Sequence, residues 1–263
     1  MGSSSERPGR SGFAHFFEHL MFQGSANVPA GQFLKLVSGN GGRMDATTGV
    51  DRTVYYEIMP ANQLELSLFL ESDRMRGISI TPENLQKERN VVQEERRMRI
   101  DNQAYGKSRE VLNGLLYDNF PYKHEGSGSM EDLNAASVED VQAFFKTNYA
   151  PNNCVLVLVG DFKTAEARSK IKNYFERIPA QPAPPALDLS EPEQKQARRE
   201  TVSDPLAQLP QVSIAFKTVP GNTPDSYALE VAAAILQGGG ELAFIPALSQ
   251  TGPGCHQRDR RHR

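Results

Sequence analysis

The segment GFAHFFEHLMF, residues 12–22, places two histidines four positions apart with a glutamate between them. On a helix His15, Glu18 and His19 stand at positions i, i+3 and i+4, so all three project from one face. Imidazole and carboxylate are costly to bury among Phe, Leu and Met unless something pairs with them. The segment therefore predicts a helix that packs through its apolar side chains and whose polar face needs a binding partner.

A metal ion is the partner that this spacing favours. Two imidazoles one helical turn apart can bind a single Zn²⁺ through their nitrogen lone pairs, while the carboxylate between them stays near the metal without binding it. Glu18 could then act as a general base toward a water molecule. The ordinary alternative is a satisfied core histidine or a surface pair. Because His-x-x-Glu-His arises by chance in about one chain in a hundred of this size, we favour metal binding.

A catalytic zinc usually needs a third protein ligand, and the segment KERNVVQEERRMR, residues 87–99, offers three glutamates. Glu88 and Glu95 are two helical turns apart and share a face, separated by about 10 Å along the axis. One of them can bind the metal directly while the other acts through a water or supports a ligand. Glu94 points about 100° away, and we expect it to be a solvated charge paired with arginine.

Composition excludes several classes of protein. The chain has 263 residues, 23% charged and 38% hydrophobic, with a formal net charge of −3. This balance predicts neither a nucleic-acid partner nor an anionic membrane surface, and no apolar run is long enough to span a membrane. Two cysteines do not make a disulfide framework, and Cys154 is expected to be a small buried residue.

The periodicity of apolar residues predicts an α+β fold, in which a mixed or antiparallel sheet packs with helices. Thr81 and Ser137 are expected to be the N-caps of two helices. Helices are predicted over residues 13–21, 61–75, 82–102, 106–117, 138–150, 163–178 and 225–240, and strands over 43–60 (a strand or hairpin), 154–161 (buried) and 211–220.

Proline-rich composition predicts a division of the chain. Residues 179–200 are dense in Pro and polar residues and are expected to be an extended linker. We therefore predict a domain over residues 1–178, the linker 179–200, the start of a second domain over 201–240 and an aberrant tail over 241–263.

Three stretches together resemble the pitrilysin/insulinase family of zinc metallopeptidases, the inverzincins, in which His-x-x-Glu-His replaces the commoner His-Glu-x-x-His. They are GFAHFFEHLMFQGS (12–25), GGRMDATTGVDRTVYYEIMPANQLELSLFLESDRM (41–75) and ERNVVQEERRMRIDN (88–102). The resemblance runs from about residue 5 to residue 240. It implies one nearly complete unit of a duplicated metallopeptidase fold followed by the start of a second unit.

The resemblance also implies roles for individual residues. In the family, the third zinc ligand is a glutamate at the spacing at which Glu95 follows His19. Zn²⁺ would then be held by His15, His19 and Glu95, with Glu18 as the general base and Glu88 as a supporting acid of the catalytic site.

The family takes up substrate by β-addition at an edge strand, which corresponds here to the segment MDATT. This implies substrate-binding roles for Asp45, Ala46 and Thr47. Asp45 is a departure, since the family usually has asparagine there.

Both ends of the chain depart from the family pattern. The family has a β-hairpin before the position of Met1, so we expect the first strands, and any signal peptide, to be missing from this gene model. Near Gly240 the family continues with a Gly-Gly-x-Ser-Ser-Arg-Leu type of stretch, and its replacement predicts a frameshift. The compartment stays open: periplasmic or secreted if a signal peptide was lost, otherwise cytoplasmic.

The main hypothesis is a zinc metalloendopeptidase domain that hydrolyses extended peptides or unfolded proteins. Family members close two homologous halves around the substrate, so a second homologous subunit or half is the expected partner, and the isolated chain is expected to have weak or absent activity. The alternatives are a non-catalytic scaffold subunit of a two-chain peptidase, and a non-functional gene fragment. The complete set of metal-binding residues argues against the scaffold subunit.

Overall fold

A computed structural model describes residues 1–237 of the chain, which divides into two compact units, Met1–Ser213 and Ile214–Arg263. The helices of the first unit are α1 (Phe13–Leu20), α2 (Gln32–Gly39), α3 (Leu64–Arg76), α4 (Pro82–Arg96), α5 (Ser108–Leu116), α6 (Phe120–Lys123), α7 (Met130–Ala135), α8 (Val138–Asn148) and α9 (Thr164–Phe175). In the second unit α10 spans Pro224–Gln237. The predicted tail over 241–263 lies outside the described residues.

The hairpin predicted over residues 43–60 is confirmed. Strands β1 (Arg43–Thr48) and β2 (Thr53–Ile58) pair antiparallel, with a register that runs from Arg43 opposite Ile58 to Thr48 opposite Thr53. Across residues 1–237 this is the one sheet, and it has two strands. The α+β class is therefore correct, with helices making up most of the structure.

The main core forms around the apolar side of α1. Phe16 and Phe17 are 0% and 1% exposed, and the Phe17 ring lies 4.5 Å from the ring of Tyr149 and 5.5 Å from that of Phe144. Val92 of α4 belongs to the same cluster and is fully buried. Burying one such side chain contributes about 1.5–3 kcal/mol, so this contact fixes α1 against α4 and α8.

Both predicted helix caps are confirmed. Thr81 and Asn84 form a reciprocal capping box at the start of α4, where Pro82 takes the first helical position. Ser137 and Asp140 form the corresponding box at the start of α8. The helix predicted over residues 82–102 is α-helical as far as Arg96, and one π-helical turn follows over Arg97–Asp101.

Two strand predictions are wrong. Residues 154–161 and 211–220 form no strand, and Val159 and Phe216 are 88% and 80% exposed. A β-branched apolar run indicates that burial would be favourable, but a strand also needs a neighbour for its backbone hydrogen bonds. No described segment pairs with either run. For the same reason Cys154, at the start of the first run, is exposed rather than buried.

The proline-rich segment 179–200 contains no helix or strand. Proline lacks the backbone N–H that both structures require, which accounts for this irregular course. The role of the segment as a linker, and the domain boundaries around it, stay predictions.

Candidate metal centre

Helix packing brings the predicted metal ligands together. Val92 stands between Glu88 and Glu95 on one face of α4, and it is buried in the core cluster that contains the phenylalanines of α1. Because residues three and four positions apart lie on one face of a helix, burying Val92 turns both carboxylates toward α1. The polar face of α1, with His15 and His19, meets them there.

The donor atoms of three residues converge on one point. His15 Nε2 and His19 Nε2 are 3.3 Å apart, and Glu95 lies 3.7 Å from the first through Oε1 and 3.4 Å from the second through Oε2. A tetrahedral zinc with bonds of about 2.0–2.1 Å requires its ligand atoms to be about 3.3–3.4 Å apart. The three residues present therefore fit a zinc ion in both donor type and spacing.

The electrostatics of the two imidazoles differ. Burial, and then the charge of His19, lowers the pKa of His15 to about 4, which favours the neutral ring that a metal requires. Burial also acts to lower the pKa of His19, but the hydrogen bond with Glu88 and the charges of Glu95 and Glu88 outweigh it and raise that pKa. Among the described residues the buried Nδ1 of His15 has no hydrogen-bond partner.

Glu88 lies behind the histidine pair. Its Oε2 is 3.4 Å from Nδ1 of His19, the ring nitrogen that faces away from Glu95, and its side chain is 6% exposed. A carboxylate in this position orients an imidazole and makes it a better ligand. The geometry thus separates two glutamates that helical periodicity leaves equivalent: Glu95 faces the point of convergence and Glu88 supports His19.

Glu18 is buried and connected to the hairpin. The Thr48 hydroxyl of β1 donates a short hydrogen bond to its Oε2. Burial raises the pKa of Glu18, and the bond from Thr48 opposes that rise. Thr48 was not among the predicted site residues. Its place in the segment MDATT, directly after the three predicted substrate-binding residues, was the signal available for it.

Two family descriptions match successive parts of the chain. The family described as "Insulinase (Peptidase family M16)" matches residues 1–125. The family described as "Peptidase M16 inactive domain" matches residues 135–254. The chain belongs to the M16 peptidase family.

Other M16 proteins are similar over most of this chain. The protein named "Zinc protease PqqE" from Helicobacter pylori is 31% identical over 247 residues, which are 93% of this chain and 55% of that protein. The crystal structure of a protease from Helicobacter pylori matches with a TM-score of 0.71 and 33% identity, over 74% of this chain and 47% of the other. The resemblance to zinc metallopeptidases is thereby confirmed.

The chain is also similar to a structure that contains only the first half of a larger protease. The crystal structure of the first half of the periplasmic protease PqqL from Escherichia coli matches with a TM-score of 0.67 and 25% identity, over 74% of this chain and 43% of the other. This M16 chain therefore spans about half the length of each of these three proteins. Within residues 1–237 no helix combines the length and the apolar character needed to cross a membrane.

A cleft of about 1030 Å³ in the M16 chain is lined by the three predicted metal ligands and by residues 44–48 of β1. Asp45, Ala46 and Thr47 all line it. β1 pairs only with β2 in the described structure, so its other edge carries backbone groups that another strand could use. The Ala46 N–H donates instead to Oδ1 of Asp45 at 2.8 Å.

Two arginines beyond the end of α4 form ion pairs with its glutamates. Arg97 pairs with Glu94 at 2.9 Å in an exposed position, which confirms the prediction that Glu94 is a solvated charge paired with arginine. Arg99 forms a close ion pair with Glu95 Oε1 and is 73% exposed. Arg99 was not predicted, although its position four residues after Glu95 on a helix is a recognised ion-pair spacing.

Proposed function

We propose that this chain is the zinc-binding half of an M16 metalloendopeptidase that hydrolyses peptide bonds in extended peptides or unfolded proteins. The convergence of His15, His19 and Glu95 at spacings of 3.3–3.7 Å carries the proposal. When bound, Zn²⁺ lowers the pKa of a water in its open coordination position to about 7 and polarises a carbonyl.

Glu18 is the proposed general base and acid. It lies on the same face of α1 as the histidines, and its raised pKa brings it nearer to the working pH of a proton-transfer group. It takes a proton from the water as the water oxygen bonds to the peptide carbonyl carbon. It then gives that proton to the nitrogen as the carbon–nitrogen bond breaks. The products are a carboxylic acid and an amine, and transfer of the second water proton from the acid to the amine leaves a carboxylate and an ammonium group.

The free edge of β1 is the proposed substrate platform. An extended peptide can add to it as a further strand, with backbone bonds that are independent of sequence. A peptide carbonyl that pairs with the Ala46 N–H has to displace the Asp45 carboxylate, which occupies that donor. We assign the backbone pairing to Ala46 and Thr47.

A second M16 half or subunit is the proposed partner, because the chain covers 55% of the PqqE relative and 43% of the PqqL chain, which is itself a first half. For location, the similarity to the periplasmic PqqL half supports the periplasm. Fractionation of cells that express the complete gene product tests this assignment.

The proposed function is tested by metal content and hydrolysis together. We expect about one zinc per chain, retained by Glu18→Gln and lost by His19→Ala. Glu94→Gln is a matched control for a charge change on α4. Hydrolysis of an unstructured peptide, by the chain alone or with its second half added, should disappear with chelator and in Glu18→Gln. Absence of bound zinc, or hydrolysis that resists both treatments, would refute the proposal and favour a scaffold subunit or a different mechanism.

A further inference from the structure

The N-terminus of the metal-binding helix is capped from outside the helix. Gly12, its N-cap residue, has no side chain that could accept a hydrogen bond. The Glu6 carboxylate takes that place: Oε2 accepts from the Gly12 N–H and Oε1 accepts from the Ala14 N–H, both at 2.7 Å. The Glu6 side chain is 0% exposed. A buried carboxylate is thus held against the positive end of the α1 dipole.

His124 completes this arrangement. Its Nε2 lies 2.8 Å from Glu6 Oε2, and its Nδ1–H donates to the Phe120 carbonyl at 2.8 Å. Its ring also stacks on the Phe120 ring at 4.3 Å, and its side chain is 11% exposed. The carbonyl oxygen of Phe120 and the carboxylate oxygen of Glu6 both accept hydrogen bonds, so both ring nitrogens of His124 act as donors. A ring with both nitrogens protonated is positively charged, and it balances the buried negative charge of Glu6.

The cap acts on the turn that carries the first metal ligand. Ala14, which donates to Glu6, directly precedes His15, and α1 has only eight residues. A helix this short is marginal without external contacts, so its axial position and rotation depend on what holds its ends. Glu95 reaches the site from a separate helix, α4. The separation between the imidazoles and Glu95 therefore depends on where α1 is held.

We propose that Glu6 and His124 are a positioning pair for the metal centre: together they hold α1 where His15 and His19 meet Glu95. Neither residue touches the three predicted ligands, and neither is part of the proposed chemistry. The inference rests on the proposed function, since it assumes that the three ligands bind zinc.

The test measures metal binding in the full chain under conditions where every variant is folded. We expect Glu6→Gln and His124→Gln each to weaken zinc binding by about tenfold, measured by competition with a chromophoric chelator, which is the lower end of the losses seen when supporting groups of metal ligands are removed. With Co²⁺ in place of zinc, the visible absorption of the tetrahedral site should weaken or shift. The variant with both substitutions should lose no more zinc affinity than Glu6→Gln alone, because the two residues act as one unit.

Ser137→Ala is the control, since it removes the N-cap of α8, a helix that carries none of the three predicted ligands. It should lower the melting temperature while zinc affinity and the Co²⁺ spectrum stay unchanged. If the wild-type chain binds zinc and both Glu6→Gln and His124→Gln bind it within twofold of wild type, the positioning role is refuted and the proposed function stands. If the wild-type chain binds no zinc, both are refuted. Should Glu6→Gln fail to fold, His124→Gln decides the result.

Discussion

Replacing Glu88, Glu94 and Glu95 of α4 with glutamine, one at a time, should lower zinc affinity in a fixed order. Glu95→Gln removes the charge of a carboxylate whose Oε2 lies 3.4 Å from His19 Nε2 and whose Oε1 lies 3.7 Å from His15 Nε2. Glu88→Gln removes the charge 3.4 Å from Nδ1 of His19 and leaves the three ligands in place. Glu94→Gln removes an exposed charge that pairs with Arg97 and faces away from the site. The expected loss of zinc affinity is largest for Glu95→Gln, smaller for Glu88→Gln and smallest for Glu94→Gln.

The size of each loss follows from these positions. Removing a partner behind a metal-bound imidazole costs 10–100-fold in affinity, so Glu88→Gln should weaken zinc binding by about 1.4–2.7 kcal/mol. Glu95→Gln should cost more, since a neutral amide replaces a charged ligand. The Glu94 side chain is 57% exposed, and surface ion pairs contribute about 0–1 kcal/mol, so its loss should leave zinc affinity within about fivefold of wild type.

Chelator competition at constant pH measures all three affinities, and the melting temperature without metal shows whether each variant is folded. A fixed pH is needed because metal binding releases protons from the imidazoles. If Glu88→Gln proved as damaging as Glu95→Gln, both carboxylates would be direct ligands and the assignment of Glu88 as a supporting group would be wrong. If Glu94→Gln matched either of them, the orientation of α4 itself would be wrong.

Further predictions concern stability, each measured by denaturant unfolding. Phe17→Ala should cost about 3–5 kcal/mol, because the side chain is 1% exposed, and a loss below 1 kcal/mol would contradict the packing of α1. Asp73→Ala should cost about 3 kcal/mol, since its buried carboxylate accepts hydrogen bonds from the loop before α2; an unchanged midpoint would contradict that anchoring. Burial, and then the charge of Glu71, raises the pKa of Glu57 from 4.5 to about 8. The folded chain therefore keeps a proton that the unfolded chain loses between these values, so stability should fall as pH rises from 4.5 to 8. In Glu57→Gln the contribution of this carboxyl group to the fall in the free energy of unfolding between pH 4.5 and 8 should disappear. The same pH dependence in wild type and variant would contradict the assignment to Glu57. Val159→Thr should change stability by less than about 0.5 kcal/mol, because the side chain is 88% exposed; a larger loss would favour the buried strand predicted there.

Local signals in the sequence were sufficient for several elements. The caps at Thr81 and Ser137 depend on residues three positions ahead, and both capping boxes are present. The spacing of His15, Glu18 and His19 places them on one helical face whatever the rest of the chain does. These features could be predicted because the interacting groups lie within one or two helical turns.

Features that depend on distant partners could not be predicted. Thr48 meets Glu18 across 30 positions, and His124 meets Glu6 across 118. The segment MDATT places Thr48 beside the predicted substrate-binding residues, but no local pattern identifies Glu18 as its partner or Glu6 as the partner of His124. Likewise, periodicity alone leaves Glu88 and Glu95 equivalent, because residues seven apart share a face. The family resemblance implies that Glu95 is the ligand, and in the structure the packing of α4 on α1 gives the two glutamates different positions relative to the histidines.

The strands that were wrongly predicted and the proposed metal centre differ in what they need from the rest of the chain. Residues 154–159 have the apolar, β-branched composition of a buried strand, yet Val155 and Val157 are 86% and 74% exposed. Such a composition shows that burial of the segment would be favourable, but a strand forms only where a neighbouring strand is present to pair with it. The three predicted metal ligands lie on α1 and α4, and both helices already have their packing partners among the described residues. Zinc binding should therefore be independent of the unpaired segments, whereas peptide hydrolysis also requires a substrate held on the edge of β1. For this reason metal content tests the site more directly than activity does.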